Sequence, residues 1–526
     1  MFRTLMRTVR QLIDDLNLQT LAPKFVLAAM IFAFSILVFP LNLVFGQEAG
    51  AGTQASRSSD NSSALGIPAN GAGTVGSIGS ATASGILGQS SFSGSVPEGK
   101  ATAGVISLSF KDAIDRGLRN NLGILLESDN SLSARGQKWR ELSALLPNLG
   151  ASVNETVEQI DLAAQGFRFK SALGGVPNVI GPIGVFQTHI FLTQSLFDLN
   201  AIDRNRAASS NEKVAKYTYK DARDTVVLAV GNAYLETLSA QARVETTQAQ
   251  VETAQALSDK STDQQKAGVI PAIDALRARV ELQSQQQQFI VARNNYAKQK
   301  LVLARVIGLP VGQEFALSDK APYEPLAAMS LEQALQRAYS LRSDYQAAAQ
   351  RVRSAQYLRR AATAEHFPTL DLAGNYGDAG IRPGSSHGVF QLGATLSIPI
   401  FAGGKTHGEV LQAEAALRQG HQQLENLRGQ IDYEVRSALL DLAAAAEQVE
   451  VARSSIDLST QALTQARDRF SAGVTDNLEV VQAQESLAAA SENYISSLYA
   501  HNVAKVAFAR AIGFAEEGVR QYLQSK

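Results

Sequence analysis

Few residues in this sequence have the types and spacing that enzymatic or metal chemistry needs. Residues 384–388 read G-S-S-H-G and match the G-x-S-x-G pattern, but they lie in a predicted loop between two strands, not at a strand-to-helix elbow. Residues 71–76 match G-x-G-x-x-G, yet no strand precedes them and no helix follows. The six histidines show no H-x-x-x-H or H-x-H spacing, and the chain has no cysteine. We therefore expect no enzyme activity, no metal site and no cofactor.

Composition narrows the class of protein further. The 526 residues carry a formal net charge of −1, so no basic surplus exists to neutralise the phosphates of a nucleic acid. With 14 prolines and 7% aromatic residues, the chain favours long helices rich in Ala, Gln and Leu over a large β-sandwich.

The first 105 residues are predicted to precede the folded body. Residues 1–46 join basic residues to an apolar run and a small-residue exit, which predicts a secretory signal peptide; an uncleaved membrane anchor is the alternative. Residues 47–105 are rich in Gly, Ser, Ala and Thr, which predicts a disordered linker. Either interpretation of the N-terminus sends the rest of the chain out of the cytoplasm. No later segment is long and apolar enough to predict a transmembrane helix.

An internal repeat organises the remainder of the chain. Its landmarks recur 221 residues apart before the predicted strands and 204 or 205 residues apart after them, as in the Ala-Gly-Val of 267–269 and 472–474. Each repeat reads helix, strand, loop, strand, long helix, turn, long helix, and the first helix ends near Pro147 or Pro368. The predicted divisions are repeat 1 at 106–310, an inter-repeat linker at 311–328, repeat 2 at 329–514 and a C-terminal tail at 515–526.

Four predicted strands, two in each repeat, alternate apolar and polar side chains over about ten residues. They lie near residues 148–158, 185–197, 369–377 and 389–401. The alternation fits either a tilted membrane strand or a half-buried strand of a soluble sheet. Four strands cannot close a barrel, and open edges are not tolerated in lipid. Membrane insertion would therefore require several chains that each contribute a sheet.

About 70 residues of continuous helix follow each strand pair, from Asp198 to Gly268 and from Phe401 to Gly473, a length of about 100 Å. Apolar or small residues recur every seven positions, which predicts coiled-coil packing. In repeat 2 the two seams are Val435, Leu442, Val449, Ile456, Leu463 and Phe470, and Ala438, Ala445, Ala452, Ser459, Ala466 and Gly473. Gln and Glu fill the other faces, including residues 285–288, which we expect to meet water.

This ordered and duplicated set of features resembles the TolC-like outer-membrane efflux protein family over about residues 106–514. The set comprises the helix openings, the prolines before the strands, the two Ala-Gly-Val turns and the Ala-Arg-x-Ile-Gly endings. The resemblance implies a mainly α fold with membrane β-structure, made of two tandem structural repeats. It implies a homotrimer whose 12-stranded β-barrel, four strands per chain, is continuous with a long α-helical barrel. The implied partners are a periplasmic adaptor (membrane fusion) protein, an inner-membrane pump and outer-membrane lipid.

The resemblance also indicates functional residues at the two hairpin turns. Four are expected to dock the adaptor, namely Gly268, Val269, Gly473 and Val474. Asp274 and Glu479 lie just beyond the turns at matched positions 205 residues apart. Carboxylates repeated around a trimer would form rings that attract cations, so Glu479 is expected to face the pore and Asp274 to contribute to closure. Ordinary hairpin turns and solvated carboxylates are the alternatives.

Three positions at the predicted constriction depart from the family pattern. Some members lock the tip through a Tyr and an Arg that bind the Asp of the first hairpin, whereas Phe470 and Thr475 stand here. Phenylalanine lacks the hydroxyl group and threonine lacks the charge, although Arg469 is a nearby cation. Gln482 stands where a second acidic ring would require a carboxylate.

The predicted function is the outer-membrane channel of a tripartite efflux system, a passive exit duct for small molecules that a pump expels. One alternative is the outer-membrane component of a type I protein-secretion system. An alternative of another class is a non-conducting periplasmic coiled-coil protein. The predicted location is the outer membrane, with helices that extend into the periplasm.

Overall fold

A computed structural model describes residues 92–162, 164, 166, 179–319, 323–324, 326 and 329–522. The predicted signal peptide, and the predicted linker as far as residue 91, lie outside the described residues. The first half comprises β1 (Ile106–Leu108), α1 (Phe110–Asn120), α2 (Leu122–Ser143), β2 (Asn148–Asp161), β3 (Val179–Phe197), α3 (Leu199–Lys266) and α4 (Ala272–Ile307). The second comprises β4 (Phe315–Leu317), α5 (Leu331–Leu341), α6 (Ser343–Ala364), β5 (Thr369–Gly380), β6 (Ser386–Ser397), α7 (Lys405–Ser471), α8 (Asn477–Ala511) and α9 (Ala515–Tyr522).

The end of the predicted disordered linker is ordered against the helices. Phe92 packs beside the apolar core, and the Val96 amide donates to the Asn120 carbonyl at 2.8 Å. The Thr102 amide donates to Gln313 Oε1 at 2.8 Å, which ties this segment to the region between the repeats. The linker prediction is therefore wrong for residues 92–105, because an aromatic anchor and specific hydrogen bonds offset the ordering entropy of a Gly/Ser-rich segment.

The region predicted as an inter-repeat linker also contains regular structure. β4 pairs in parallel with β1, so that Ile106 faces Phe315 and Leu108 faces Leu317. The start of repeat 1 is thereby joined to the region between the repeats.

A single helix was predicted before each strand pair, but the structure contains two. The break falls at Asn121 in the first repeat and at Arg342 in the second, both with extended backbone. The Asn121 side chain accepts a hydrogen bond from the Gly123 amide at 2.9 Å and so caps α2. The periodicity of a polar helix does not reveal such a break, because the same residues suit either a continuous helix or a cap.

The four longer strands form one antiparallel sheet in the order β2-β3-β5-β6. Its register aligns apolar side chains across all four strands, as in the row Ala151, Ile190, Tyr376 and Phe390. Within the described chain neither the outer edge of β2 nor that of β6 is paired, and Phe390 is 80% exposed. β6 ends at Ser397, short of the predicted 401, before Pro399, which lacks the N–H that a ladder requires.

The two long helices, α3 with 68 residues and α7 with 67, each span about 100 Å. Each turns back onto a helix of about half its length, α4 or α8. Val435, Val449 and Ala445 of the predicted seams are buried, which confirms the seven-residue pattern as the packing face. In the described part of the chain, no helix is long and apolar enough to cross a membrane.

Buried apolar residues form three clusters along this frame. Two are counterparts in the repeats: α1 covers Val226 and Val230 of α3, and α5 covers Ile431 and Val435 of α7, in each case 205 residues later. The third, here called the tip cluster, lies near the hairpin turns. It consists of Leu257, Ala278, Leu463, Ala466, Phe470 and Val480.

A group of ion pairs joins the helices midway along their length. We call it the central network; its paired members are Asp221, Arg223, Arg342, Asp344, Glu434, Arg510 and Glu516, and the charge of Asp224 lies beside them. Arg342 is its buried member, with a side chain only 3% exposed. Its guanidinium donates to both carboxylate oxygens of Asp344, at 3.0 and 2.6 Å, and to Glu434 at 2.5 Å. Burial tends to raise the pKa of Asp344, but the hydrogen bonds from Arg342 hold that pKa below its ordinary value.

The predicted C-terminal tail is held in the same network as helix α9. Arg223 donates to the two carboxylate oxygens of Glu516, at 2.9 and 2.6 Å, and Arg510 pairs with Asp221. Burial raises the pKa of the neighbouring Asp224 to about 6, with Arg510 opposing the rise.

Candidate functional site

The two hairpin turns that the sequence singles out have the same backbone. In each, a glycine lies in the left-handed region, Gly268 and Gly473 both with φ of +71°. The Gly268 amide donates to the Gln265 carbonyl and the Val269 amide to the Gln264 carbonyl, at 3.0 and 2.9 Å. This is the Schellman helix ending, and Gly473 and Val474 repeat it. A residue with a β-carbon resists this φ, which explains why glycine occupies both turns.

The turns present apolar side chains to the solvent. Val269 and Val474 are each 68% exposed and project from the ends of their hairpins. Exposed valines at two matched positions, with no described part of the chain covering them, are suited to contact another protein.

The two acidic positions differ in their surroundings. Asp274 is buried, and its carboxylate pairs with Arg277 one turn along α4 at 3.2 Å. Glu479 is partly exposed, and its carboxylate accepts a hydrogen bond from Arg469 Nη1 at 2.9 Å. Arg469, the cation noted in the sequence, therefore pairs with the acid of its own hairpin at the partly exposed end of the turn and is not bound to Asp274.

The remaining predicted constriction residues also differ in whether they are buried or exposed. Phe470 is buried in the tip cluster, with Lys260 Nζ lying 5.6 Å from its ring centroid. Thr475 is partly exposed in the turn, and Gln482 is exposed on α8. The structure thus brings Thr475 and Glu479 to the accessible end of the hairpin, whereas Phe470 packs between helices.

Asn477 is the residue of this region that the sequence interpretation missed. Its side chain is fully buried, and its amide nitrogen donates to the Asp274 backbone carbonyl at 2.5 Å, which joins the two hairpins at their tips. The signal was available in the repeat, because the matched position in the first hairpin is Ala272. A polar residue that replaces alanine at one of two equivalent positions indicates a contact that only one repeat makes.

Other chemistry receives no support from the geometry. The described residues include no group of three or more His, Cys, Asp or Glu side chains that could hold a metal ion. The G-x-S-x-G match spans a 3-10 turn at Pro383–Ser385 and the start of β6, far in sequence from any helix N-terminus that follows a strand.

Comparison with known proteins identifies the class. Residues 141–309 and 331–514 match the outer membrane efflux protein family, and these segments cover most of each repeat. The chain belongs to this family. It is an outer-membrane efflux channel whose helices extend into the periplasm, and family members are channels, not enzymes.

Individual relatives agree with this assignment. The outer membrane protein TolC of Escherichia coli is 25% identical over 401 residues, which cover 71% of this chain and 76% of TolC. The alkaline protease secretion protein AprF of Pseudomonas aeruginosa is 23% identical, over 74% of this chain and 82% of its own length. Among solved structures, the Campylobacter jejuni CmeC outer membrane channel superposes with a TM-score of 0.66 at 19% identity, over 78% of this chain and 88% of CmeC.

Proposed function

We propose that three copies of this chain assemble into an exit duct. The three four-stranded sheets would close a 12-stranded β-barrel in the outer membrane, and the long helices would continue it as a helical barrel through the periplasm. The observation that carries this proposal is the sheet itself, which has two unpaired edges and an exposed apolar row across its strands. Joining β2 of one copy to β6 of the next would satisfy both edges, as a bilayer requires.

The helices support the same assembly. Ile273, Leu276 and Val280 form an exposed apolar stripe on α4, and Leu440 and Val451 are exposed on α7. These helices belong to different hairpins, which pack together chiefly through α3 and α8. A neighbouring copy would cover both stripes, with the gain in free energy that apolar burial gives.

The tips would dock a periplasmic adaptor through Gly268, Val269, Gly473 and Val474, and an inner-membrane pump would supply the energy. Glu479 would contribute a ring of three partly exposed carboxylates near the entrance, which favours cations. Asp274, buried beside Asn477, would hold the tips closed. Residues 1–46 would direct the chain across the inner membrane.

The cargo follows from the pump, so we propose efflux of small molecules as the principal activity. AprF, named for alkaline protease secretion, matches about as well as TolC, which makes secretion of a polypeptide the second candidate. Export of a labelled small molecule by cells that carry each candidate pump would separate the two.

The assembly is tested by the mass of the purified protein in detergent, with the detergent contribution subtracted. A mass three times that of the mature chain is expected. A monomeric mass at concentrations where the fold is intact would contradict the proposal.

A further inference from the structure

A cleft of about 390 Å³ lies between the two hairpins of one chain. We call it the hairpin cleft. All four hairpin helices line it, α3, α4, α7 and α8, so a molecule in it would touch both hairpins. On the tip side it ends at Leu463, which also belongs to the tip cluster. Beyond its other end Arg243 donates to both carboxylate oxygens of Glu492, at 2.9 and 3.0 Å.

The cleft contains a buried carboxylate without a cation. Glu281 is 8% exposed, and its carboxylate accepts a hydrogen bond from Gln285 Nε2 at 2.7 Å. The ion pairs of this region involve Arg243, Arg277 and Arg469, and among the described residues no cationic side chain pairs with Glu281. A buried charge of this kind is costly unless a cation or several donors compensate it.

Two further acceptors in the cleft have no donor. Gln285 and Gln484 are 5% and 9% exposed, and the Oε1 atom of each lacks a hydrogen-bond partner. The Gln285 amide nitrogen faces the Glu281 carboxylate, so exchanging its N and O atoms would bring two acceptors together. The burial of Gln285 contradicts the expectation that residues 285–288 all meet water. A ligand that donates several hydrogen bonds and carries positive charge would satisfy the carboxylate and the amide oxygens together.

The other residues that line the cleft favour an organic cation over a metal ion. Leu463, Leu487 and Ala249 provide apolar surface beside the polar groups. A bare metal ion would leave most of 390 Å³ unfilled, and no group of three acidic or histidine ligands is present in the described residues. An ammonium group on a short aliphatic chain fits both parts, with three N–H donors for the oxygens and methylene groups for the leucines.

We propose that the hairpin cleft binds a small aliphatic ammonium ion, held by Glu281, Gln285 and Gln484. Glu281 and Gln285 belong to the first hairpin and Gln484 to the second, so the ligand bridges them. Bound ligand stabilises the arrangement of the hairpins seen here by mass action. The residues that line the site all belong to one chain, and the site goes beyond the proposed duct function.

The test is calorimetric titration of butylammonium chloride into the full-length protein in detergent. We expect saturable binding to the unaltered protein and binding weakened about tenfold or more in Glu281→Gln, which keeps a side chain of the same shape but removes the charge. Glu252→Gln is the matched control, because Gln248 also donates to Glu252, at 3.1 Å, on an exposed face of α3. That variant is expected to bind as the unaltered protein does.

Two further arms keep the result decisive. Gln484→Leu, which removes an acceptor from the opposite hairpin, is also expected to weaken binding, and 1-butanol is expected not to bind. Equal binding by all variants, or equal binding of butanol, would overturn the proposal in favour of an apolar crevice. Binding of calcium chloride that depends on Glu281, with no binding of butylammonium, would overturn the choice of ligand class. A sample that is trimeric and conducts ions but fails every binding arm would exclude this site and leave the duct intact.

Discussion

The central network and the hairpin tips are held together by different kinds of contact. In the network, Arg342 is almost completely buried and is bound to two carboxylates from separate helices. At the tips, about 70 Å further along α3, Glu479 and Arg469 form a partly exposed pair within one hairpin. There one buried hydrogen bond, from Asn477 to the Asp274 carbonyl, crosses between the hairpins together with the tip cluster.

This difference indicates which part of the molecule is suited to move. A buried ion pair opposes separation of its helices, because one partner alone would remain charged and desolvated. Exposed pairs can exchange their partner for water at little cost. The middle of the helices therefore resists separation, whereas the tips can open at a lower cost in free energy.

The substitution expected to have the largest effect removes Arg342 from the central network. Arg342→Ala leaves Asp344 and Glu434 without their cation, and we expect a loss of about 3–5 kcal/mol in the free energy of unfolding. Denaturant titration followed by circular dichroism measures it. Arg436→Ala is the matched control, since Arg436 forms a 2.8 Å pair with Asp432 on an exposed face and should change stability little. Equal effects of the two substitutions would show that the buried network contributes no more stability than an exposed ion pair.

The raised pKa of Asp224 gives the network a pH dependence. Because the folded pKa is about 6 and the ordinary value is 3.8, the folded state binds a proton more tightly than the unfolded state. Stability from this group is therefore complete below pH 4 and is lost as the pH rises through 6. Asp224→Asn should flatten the dependence of stability on pH. Relative to the unaltered protein, the free energy of unfolding of this variant should rise by at most about 3 kcal/mol between pH 4 and pH 7. Thermal unfolding at several pH values tests this, with the exposed Asp457→Asn as control; an unchanged slope would count against it.

Asn477→Ala sharpens the comparison at the other end. It removes the hydrogen bond between the hairpins and leaves the Asp274 carbonyl without this donor, at a cost of about 1–3 kcal/mol. The effect should be local: hydrogen exchange should quicken in the first turns of α4 and α8, with no change around Arg342. Asn493→Ala, an exposed position on the same helix, should leave both regions unaltered. Faster exchange throughout the protein would mean that tips and network are not independent.

The glycine turns are expected to give a smaller effect. A β-carbon at Gly268, Gly473 or Gly429 would meet no atom within 4 Å, so alanine substitution isolates the backbone conformation. Gly268→Ala and Gly473→Ala should each cost about 1–2 kcal/mol because of the left-handed φ. Gly429→Ala, within helix α7, should instead gain about 0.5–1 kcal/mol. Melting temperatures that shift in the same direction at all three positions would contradict this reading of the turns.

Much of the frame could be predicted from the sequence, because it depends on periodicity. The seven-residue seam predicted which face of α7 is buried, and the repeated Ala-Gly-Val predicted both turns. Contacts between distant segments carry no such signal. The pairing of β1 with β4, the anchoring of Phe92 and the burial of Gln285 depend on where separate parts of the chain meet.

At the candidate site, the sequence identified positions but not their surroundings. Asp274 and Glu479 are equivalent in the repeat, yet Asp274 lies under the contact with Asn477 and is buried, whereas Glu479 is partly exposed. The pairing of Arg469 with Glu479 needed the geometry, since an Arg ten residues before a Glu has no regular helical relation to it across a turn.

The measurement that most directly tests the proposed duct is ion conductance of the purified protein in a planar lipid bilayer. The unaltered protein is expected to conduct weakly and to prefer cations. Asn477→Ala should raise the conductance by loosening the tips, and Glu479→Gln should reduce the cation preference seen in the reversal potential. A bilayer that stays insulating with the unaltered protein and with both variants would contradict a hollow, tip-gated channel.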